Sequence, residues 1–126
     1  MPAFYKIAKE RRLVLSTASG VFALTDALAH QEQLLADSDF DPNYSQLLDF
    51  SHVTKIELSK EDIRKLAERD VFSPTSSRAI LVTTELEEGL ARLFKMLREN
   101  AGERSIRVFS NLDDALEWIF VMNTAK

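Results

Sequence analysis

The chain has 126 residues, of which 45% are hydrophobic and 29% are charged, a balance typical of one globular domain and not of a disordered chain. It contains no cysteine, which excludes disulfides, thiolate chemistry and zinc sites built on cysteine. The net charge of −4 disfavours nucleic-acid binding. The one basic cluster, residues 9–12, is predicted to form a solvated turn and not a nucleic-acid contact.

Two strands begin the predicted fold. Residues 4–8 and 13–18 read as short strands joined by the charged turn, and Gly20 interrupts the pattern after them. Thr25 is the predicted N-cap of a helix that runs through about Ala36. A polar loop, residues 37–44, then leads to a third strand at residues 47–50.

The second half of the chain alternates helices and strands. Three helix starts are predicted from capping signals, namely Ser59 with Asp62, Thr84 with Glu87, and Asn111 with Asp114. Apolar runs at residues 79–82 and 106–109 predict the two strands between these helices. The predicted inward face of the last helix consists of Leu112, Leu116, Ile119 and Phe120.

The predicted order is therefore β-β-α-β-α-β-α-β-α, an α/β fold. Alternation after the first hairpin implies parallel strands joined by right-handed crossovers. We expect one domain over residues 1–126, with a small, mixed, mostly parallel sheet flanked by helices. The first residues lack the apolar stretch of a signal peptide, and no apolar run approaches the roughly 20 residues that span a bilayer. A cytoplasmic protein without a membrane span is the resulting expectation.

Metal sites are not predicted. Asp37, Asp39 and Asp41 have the spacing that opens a calcium loop, but Pro42 stands where that loop needs glycine and Leu48 where it needs glutamate. We expect a solvated loop at this position.

Catalytic sites are not predicted either, so we expect a non-enzymatic protein without a cofactor. His30 and His52 lie on different elements with no acidic residue at a ligand-like spacing, and both are predicted to be surface residues. The chain has no glycine-rich phosphate loop, no Gly-x-Ser-x-Gly elbow and no His-Glu-x-x-His motif. A phosphoryl-receiver domain fails as well, because Ser-Gly and Ser-Asn occupy the places of its acidic pair and its lysine.

One segment resembles a known family. Residues 49–60 read DFSHVTKIELSK, and members of the STAS family, the anti-sigma-factor antagonists and their relatives, carry Asp-Leu-Ser-Gly-Val-Thr-x-x-Asp-Ser-Ser-Gly at this point. The identical positions are Asp49, Ser51, Val53 and Thr54, with conservative changes at Phe50 and Glu57. The departures are His52, Leu58 and Lys60. The order of elements also fits the family over nearly the whole chain.

The resemblance implies a protein-binding regulatory module with a STAS-like fold. Ser59 falls on the serine that a partner kinase phosphorylates in regulatory members, so it is the candidate phospho-acceptor and a kinase-type anti-sigma factor is the implied partner. The candidate partner surface on this segment consists of Asp49, Ser51, Glu57 and Lys60. The competing interpretation is that Ser59 is only a helix N-cap worth about 1 kcal/mol, since acidic neighbours would repel a phosphate.

A second candidate surface lies on the last helix. Trp118, Val121 and Met122 fall outside the predicted inward face, so the helix is apolar around well over half of its circumference. Either these residues are buried in the core, or Trp118 and Met122 contact a partner or a second copy of the chain.

The alternative function is a small-molecule or lipid carrier. Aromatic residues beside the sheet, namely Phe22, Phe40, Tyr44 and Phe72, would line its pocket between sheet and helices. The superfamily of the resembled fold extends to lipid-binding relatives of the Sec14 type. The same aromatics are also explained as core residues.

Overall fold

The computed structural model describes residues 2–125, which form a five-stranded sheet and four helices. The strands are β1 (Ala3–Ala8), β2 (Leu13–Ala23), β3 (Ser45–Glu57), β4 (Arg78–Leu81) and β5 (Ile106–Phe109). The helices are α1 (Leu24–Ala36), α2 (Lys60–Ala67), α3 (Glu85–Asn100) and α4 (Leu112–Thr124). Within residues 2–125, no helix combines the length and the apolar character needed to cross a membrane.

The strands lie in the sheet in their chain order, β1-β2-β3-β4-β5. β1 pairs antiparallel with β2, and the remaining neighbours pair in parallel, as the alternation of elements predicted. Because each crossover steps to the next strand in the same direction, α1, α2 and α3 lie on one face of the sheet. This arrangement confirms the predicted mixed, mostly parallel α/β sheet with flanking helices.

The two faces of the sheet have separate cores. On the face of α1–α3, Ala18, Phe22 and Ile80 pack with residues of those helices. On the other face, Leu47 and Ala79 pack with Ala115 and Ile119 of α4. Alternate strand residues point to opposite faces, so neighbouring residues in β3 and β4 serve different cores.

Strands β2 and β3 are longer than predicted. They continue past their neighbours as a two-stranded parallel ribbon in which Ser19 pairs with His52 and Ala23 with Glu57. Gly20 lies inside β2 at a register shift with φ of +61°, which suits glycine because it has no side-chain clash there. The predicted loop between β3 and α2 is therefore wrong for residues 51–57, which are strand.

Three of the four predicted helix starts agree with the structure. Ser59 Oγ accepts from Asp62 N at 3.1 Å, and Asp62 Oδ2 accepts from Ser59 N at 3.0 Å, which is a complete capping box. The side chains of Thr84 and Asn111 cap α3 and α4. The prediction of Thr25 as a cap is wrong, because α1 already begins at Leu24.

The inward face predicted for α4 is largely wrong. Leu112, Leu116 and Phe120 are exposed, and the helix packs on the sheet through Ala115 and Ile119. Alanine at position 115 is fully buried because its small side chain lets the helix approach the strands closely. The prediction placed the largest apolar residues inward and left out Ala115. The observed helix is therefore turned about its axis relative to the predicted orientation.

Candidate functional site

A cavity of about 100 Å³ lies between the sheet and helices α1–α3. The β2–β3 ribbon supplies Phe22 and Ile56 to its wall, Leu58 follows the ribbon, and α2 supplies Ile63 and Leu66. The ribbon is long enough to reach over the start of α2 only because β2 and β3 extend beyond the rest of the sheet. The cavity is therefore a product of the strand extension, and its walls are predominantly apolar.

Buried polar side chains form one part of the wall. Arg78 Nε donates to Gln46 Oε1 at 3.2 Å, and Gln46 Nε2 donates to Ser16 Oγ at 3.0 Å. Ser16 Oγ also lies 2.9 Å from His30 Nε2. His30, Gln46 and Arg78 all line the cavity. An apolar pocket with a few converging polar groups is the usual form of a small-molecule site.

The charge of Arg78 sets the orientation of the Gln46 amide. A guanidinium only donates, so Gln46 must present its carbonyl oxygen to Arg78 and its amide nitrogen to Ser16. Ser16 Oγ accepts from Gln46 and keeps its proton and a second lone pair, so it can pair with either tautomer of a neutral imidazole at His30 Nε2. We assign the neutral form to His30, because the ring is buried beside the cation Arg78.

The electrostatics of the wall agree with this assignment. Burial, with a smaller effect of the Arg78 charge, lowers the pKa of His30 to about 4. Burial also lowers the pKa of the Arg78 guanidinium, and the charge of Glu103 opposes that shift. Since a guanidinium stays protonated even when shifted, Arg78 is a fixed cation and His30 is neutral at physiological pH.

A buried ion-pair network holds Arg78 in place. Its Nη1 atom donates to both carboxylate oxygens of Glu103, at 3.0 and 3.1 Å, and Arg98 Nε donates to the same carboxylate at 3.3 Å. Arg98 in turn donates to Asp70 Oδ1 at 2.9 Å. The guanidinium of Arg78 also lies 4.6 Å from the centre of the Phe72 ring. Arg78 is thus oriented on every side before any ligand arrives.

Two further polar residues reach the wall. Glu87 is buried at the start of α3, where its Oε1 accepts from Thr83 N at 2.9 Å. The Oε1 atom of Gln31 is buried and, among the described residues, has no hydrogen-bond partner. A buried acceptor without a partner costs free energy, and a ligand that donates a hydrogen bond would remove that cost.

The structure places two of the four predicted pocket residues at the cavity. Phe22 and Phe72 line the cavity, and Phe22 packs edge-on against Phe50 at 5.6 Å between ring centres. Phe40 and Tyr44 lie outside it: they pack in the core cluster around Leu34, where Phe40 contacts Phe72 edge-on at 5.2 Å. Phe40 and Tyr44 therefore belong to the packed core and do not line the cavity.

The sequence analysis missed the polar wall. His30 was predicted to be a surface residue, and this is wrong because it is 8% exposed and turns inward from α1 to Ser16. The available signal was a polar residue on the apolar face of a strand, as at Ser16, which lies two positions from both Val14 and Ala18. Such residues are uncommon in buried strands unless they are hydrogen-bonded to one another.

The predicted surface on the STAS-like segment is dispersed along β3 and the start of α2. Asp49 Oδ1 accepts from Ser51 N at 2.8 Å, so the matched pair forms a local turn-like contact in the strand. Glu57 is exposed and lies 3.7 Å from Lys55 Nζ, and Lys60 is exposed at the first position of α2. Ser59 is exposed as well, with its Oγ engaged in the capping box.

Trp118 and Met122 do not join this surface. Both are half-buried, and the Trp118 ring packs against Phe109 at 5.7 Å between ring centres. They lie on α4, whereas Ser59 and Lys60 belong to the opposite face of the sheet. The candidate residues therefore form two separate surfaces. Within residues 2–125, no group of three or more His, Asp or Glu side chains is placed to hold a metal ion.

The fold is similar to a solved structure, that of an uncharacterized protein from the DUF3478 family with a SpoIIAA-like fold, from Shewanella loihica PV-4. The two chains share 19% sequence identity with a TM-score of 0.61, and the alignment covers 93% of each. The sequence matches no protein-family model and no curated protein. At this identity the likeness establishes the fold alone: the chain has a SpoIIAA-like fold, which confirms the predicted STAS-like fold.

Proposed function

We propose that this protein is a non-enzymatic binding module that takes up a small, largely apolar molecule in the cavity between the sheet and α1–α3. The observation that carries the proposal is the combination of apolar walls with a pre-organised polar edge at Gln31, His30 and Arg78. Core cavities that arise from imperfect packing are usually apolar throughout. A hydrogen-bonded polar edge inside a cavity is instead typical of a site that orients a ligand.

The volume limits the size of the ligand. A cavity of about 150 Å³ holds benzene, so about 100 Å³ suits a molecule smaller than benzene, such as a short hydrocarbon chain. The unpartnered Gln31 Oε1 accepts hydrogen bonds only, so it favours a ligand that carries a hydroxyl or another donor group. The ligand class that fits both constraints is a short amphipathic molecule such as a short-chain alcohol.

The test is a calorimetric titration of the protein with 1-butanol. We expect saturable binding with a negative heat-capacity change, because apolar surface is buried. Ala27 is buried and lines the cavity, whereas Ala29 is exposed on the same helix, so Ala27→Leu should abolish binding and Ala29→Leu should leave it intact. Gln31→Leu should weaken 1-butanol binding, with the exposed Gln33→Leu as its control. The proposal fails if the wild type binds no 1-butanol, or if Ala27→Leu binds it equally well.

A second candidate function is the protein-binding module switched at Ser59, and one observation favours it. The Ser59 hydroxyl is exposed at the N-terminus of α2, where free backbone N–H groups and the helix dipole favour an added phosphate. Glu57, Glu61 and Asp62 lie beside it and oppose that charge.

Paired pull-downs test the switch. Aspartate is as good an N-cap as serine, so Ser59→Asp adds charge without removing the cap. We expect a protein retained by the wild type to be lost with Ser59→Asp and kept with Ser38→Asp, at an exposed serine in the loop after α1 and outside the candidate partner surface. Retention of the same proteins by all three baits would leave Ser59 as a cap.

A further inference from the structure

Helix α4 carries an exposed apolar strip at four-residue spacing. Leu112, Leu116 and Phe120 are 45%, 39% and 68% exposed, although apolar residues at this spacing usually mark the buried side of a helix. They form one continuous stripe along the helix, which we call the α4 strip. A stripe of three large apolar side chains differs from scattered surface residues and indicates a contact surface.

The α4 strip lies on the side of the helix that faces β2 and β1. Trp118, on one side of α4, contacts Phe109 of β5. Asn123, on the other side, donates from Nδ2 to the Arg11 carbonyl oxygen at 3.1 Å, just before β2. Leu116 precedes Asn123 by seven residues and therefore shares its side of the helix.

The sheet next to the strip is only partly covered. Helix α4 packs over β3, β4 and β5, while Phe4 of β1, on the same face as α4, is 53% exposed. Leu15, which is next to Phe4 on this face, is half-buried. Lys6, which pairs with Leu15, and Thr17, which pairs with Phe4, share this side of the sheet. The α4 strip, Phe4 and Leu15 therefore form a largely apolar surface with Lys6 beside it, opposite the cavity.

Acidic side chains lie at the start of α4, and a turn with two arginines lies beside its end. Asp113 and Glu117 flank the strip in the first half of the helix, and both are exposed. The last turn of the helix lies beside the turn that contains Arg11 and Arg12, as the Asn123 hydrogen bond shows. Among the described residues, none of these four side chains forms an ion pair.

We propose that a second copy of this chain covers the α4 strip, through a twofold axis near Leu116 that sets the two α4 helices antiparallel. An antiparallel pair places the acidic half of each helix beside the basic turn of the other copy, so one rotation satisfies both sets of charges. It also buries Phe120 of each copy against Leu112 of the other. The dimer uses the face opposite the cavity and is independent of the ligand-binding proposal.

Sedimentation equilibrium tests the dimer. We expect the wild type to dimerise and Phe120→Glu to raise the dissociation constant at least about tenfold, since large apolar residues at the centre of an interface dominate affinity. Val121→Glu is the matched control, because Val121 is 53% exposed on the side of the helix away from the strip. A monomeric wild type, or equal loss with Val121→Glu, would overturn the proposal. Circular dichroism of each variant checks that it is folded.

A charge-swap experiment tests the antiparallel alignment. Variant one carries Arg11→Glu and Arg12→Glu, and variant two carries Asp113→Lys and Glu117→Lys. Each should dimerise more weakly alone, because like charges then meet at both ends of the interface. A mixture of the two should form heterodimers, because every basic group again faces an acidic one. If mixing fails to restore association, the antiparallel alignment is wrong.

Discussion

The Nε2 atom of His30 lies 2.9 Å from the Oγ atom of Ser16, in the interior between α1 and β2. The contact joins a titratable side chain to a hydrogen-bond chain that ends at the fixed cation Arg78. Burial, with a smaller effect of the Arg78 charge, lowers the pKa of His30 to about 4, so the imidazole in this contact is neutral at physiological pH. The neutral state of His30 is therefore part of the structure of the cavity wall.

This contact predicts a pH dependence of stability. The unfolded chain binds a proton at His30 below about pH 6.5, whereas the folded protein resists protonation down to a pKa of about 4. The unfolded state thus binds more protons between these values, so the free energy of unfolding falls by up to about 3 kcal/mol as the pH drops through that window. His30→Gln should remove this slope in urea unfolding series, and His52→Gln, at an exposed position, should keep it. Equal slopes in all three proteins would contradict the assignment.

Glu103 should be the most sensitive charged residue of the core. It accepts from both Arg78 and Arg98, and all three side chains are at least nine-tenths buried. Glu103→Gln leaves the buried Arg78 guanidinium without a carboxylate and leaves Arg98 with only the exposed Asp70, so we expect a loss of about 3–5 kcal/mol in the free energy of unfolding. Glu88→Gln, which breaks the exposed pair with Arg92, should have no resolvable effect in the same denaturation assay. Comparable losses in the two variants would argue against a structural role for the buried network.

The glycines at positions 20 and 89 should respond oppositely to alanine. An added Cβ meets no atom within 4 Å at either position, so only the backbone decides. Gly20 has φ of +61°, and Gly20→Ala should cost about 1–2 kcal/mol. Gly89 is in the interior of α3 with ordinary helical backbone, and Gly89→Ala should add about 0.5–1 kcal/mol. Thermal unfolding of the two variants checks both signs, and a stabilised Gly20→Ala would refute the backbone argument.

Ser59 should contribute to stability whether or not it is ever modified. Removal of its hydroxyl leaves Asp62 N without its acceptor, so Ser59→Ala should lower the free energy of unfolding by about 1 kcal/mol. Ser59→Asp should retain most of the wild-type value because aspartate also caps helices. Ser51→Ala removes only an exposed contact with His52 and should be neutral in chemical denaturation. If Ser59→Ala is as stable as the wild type, the capping box at the start of α2 does not contribute to the free energy of unfolding.

The α4 helix shows where prediction from the sequence stopped. Its start at Asn111 was correct, because the cap and the first turn are adjacent in the chain. Its inward face was wrong, because which residues are buried depends on how closely the helix approaches β3 and β4. Where the α4 backbone lies close to the strands, Ala115 fits against the sheet and the larger Leu116 does not.

The cavity shows the same limit. Of the four aromatic residues predicted to line a pocket, Phe22 and Phe72 line the cavity, whereas Phe40 and Tyr44 pack in the core. The polar wall brings together α1, β2, β3 and β4, and its hydrogen bonds join residues 14 to 32 positions apart in the chain. Local sequence patterns contain no information about such long-range partners.

The sequence by itself determined the order of the elements, the parallel pairing and the caps at Ser59, Thr84 and Asn111. These features follow from hydrophobic periodicity and from hydrogen bonds between residues three positions apart, which are local. Only the tertiary structure decided that β2 and β3 extend into a ribbon, that His30 turns inward and that the α4 strip faces outward. Each of these depends on the free energy of packing between segments distant in the chain, and the cavity and the proposed dimer face both result from that packing.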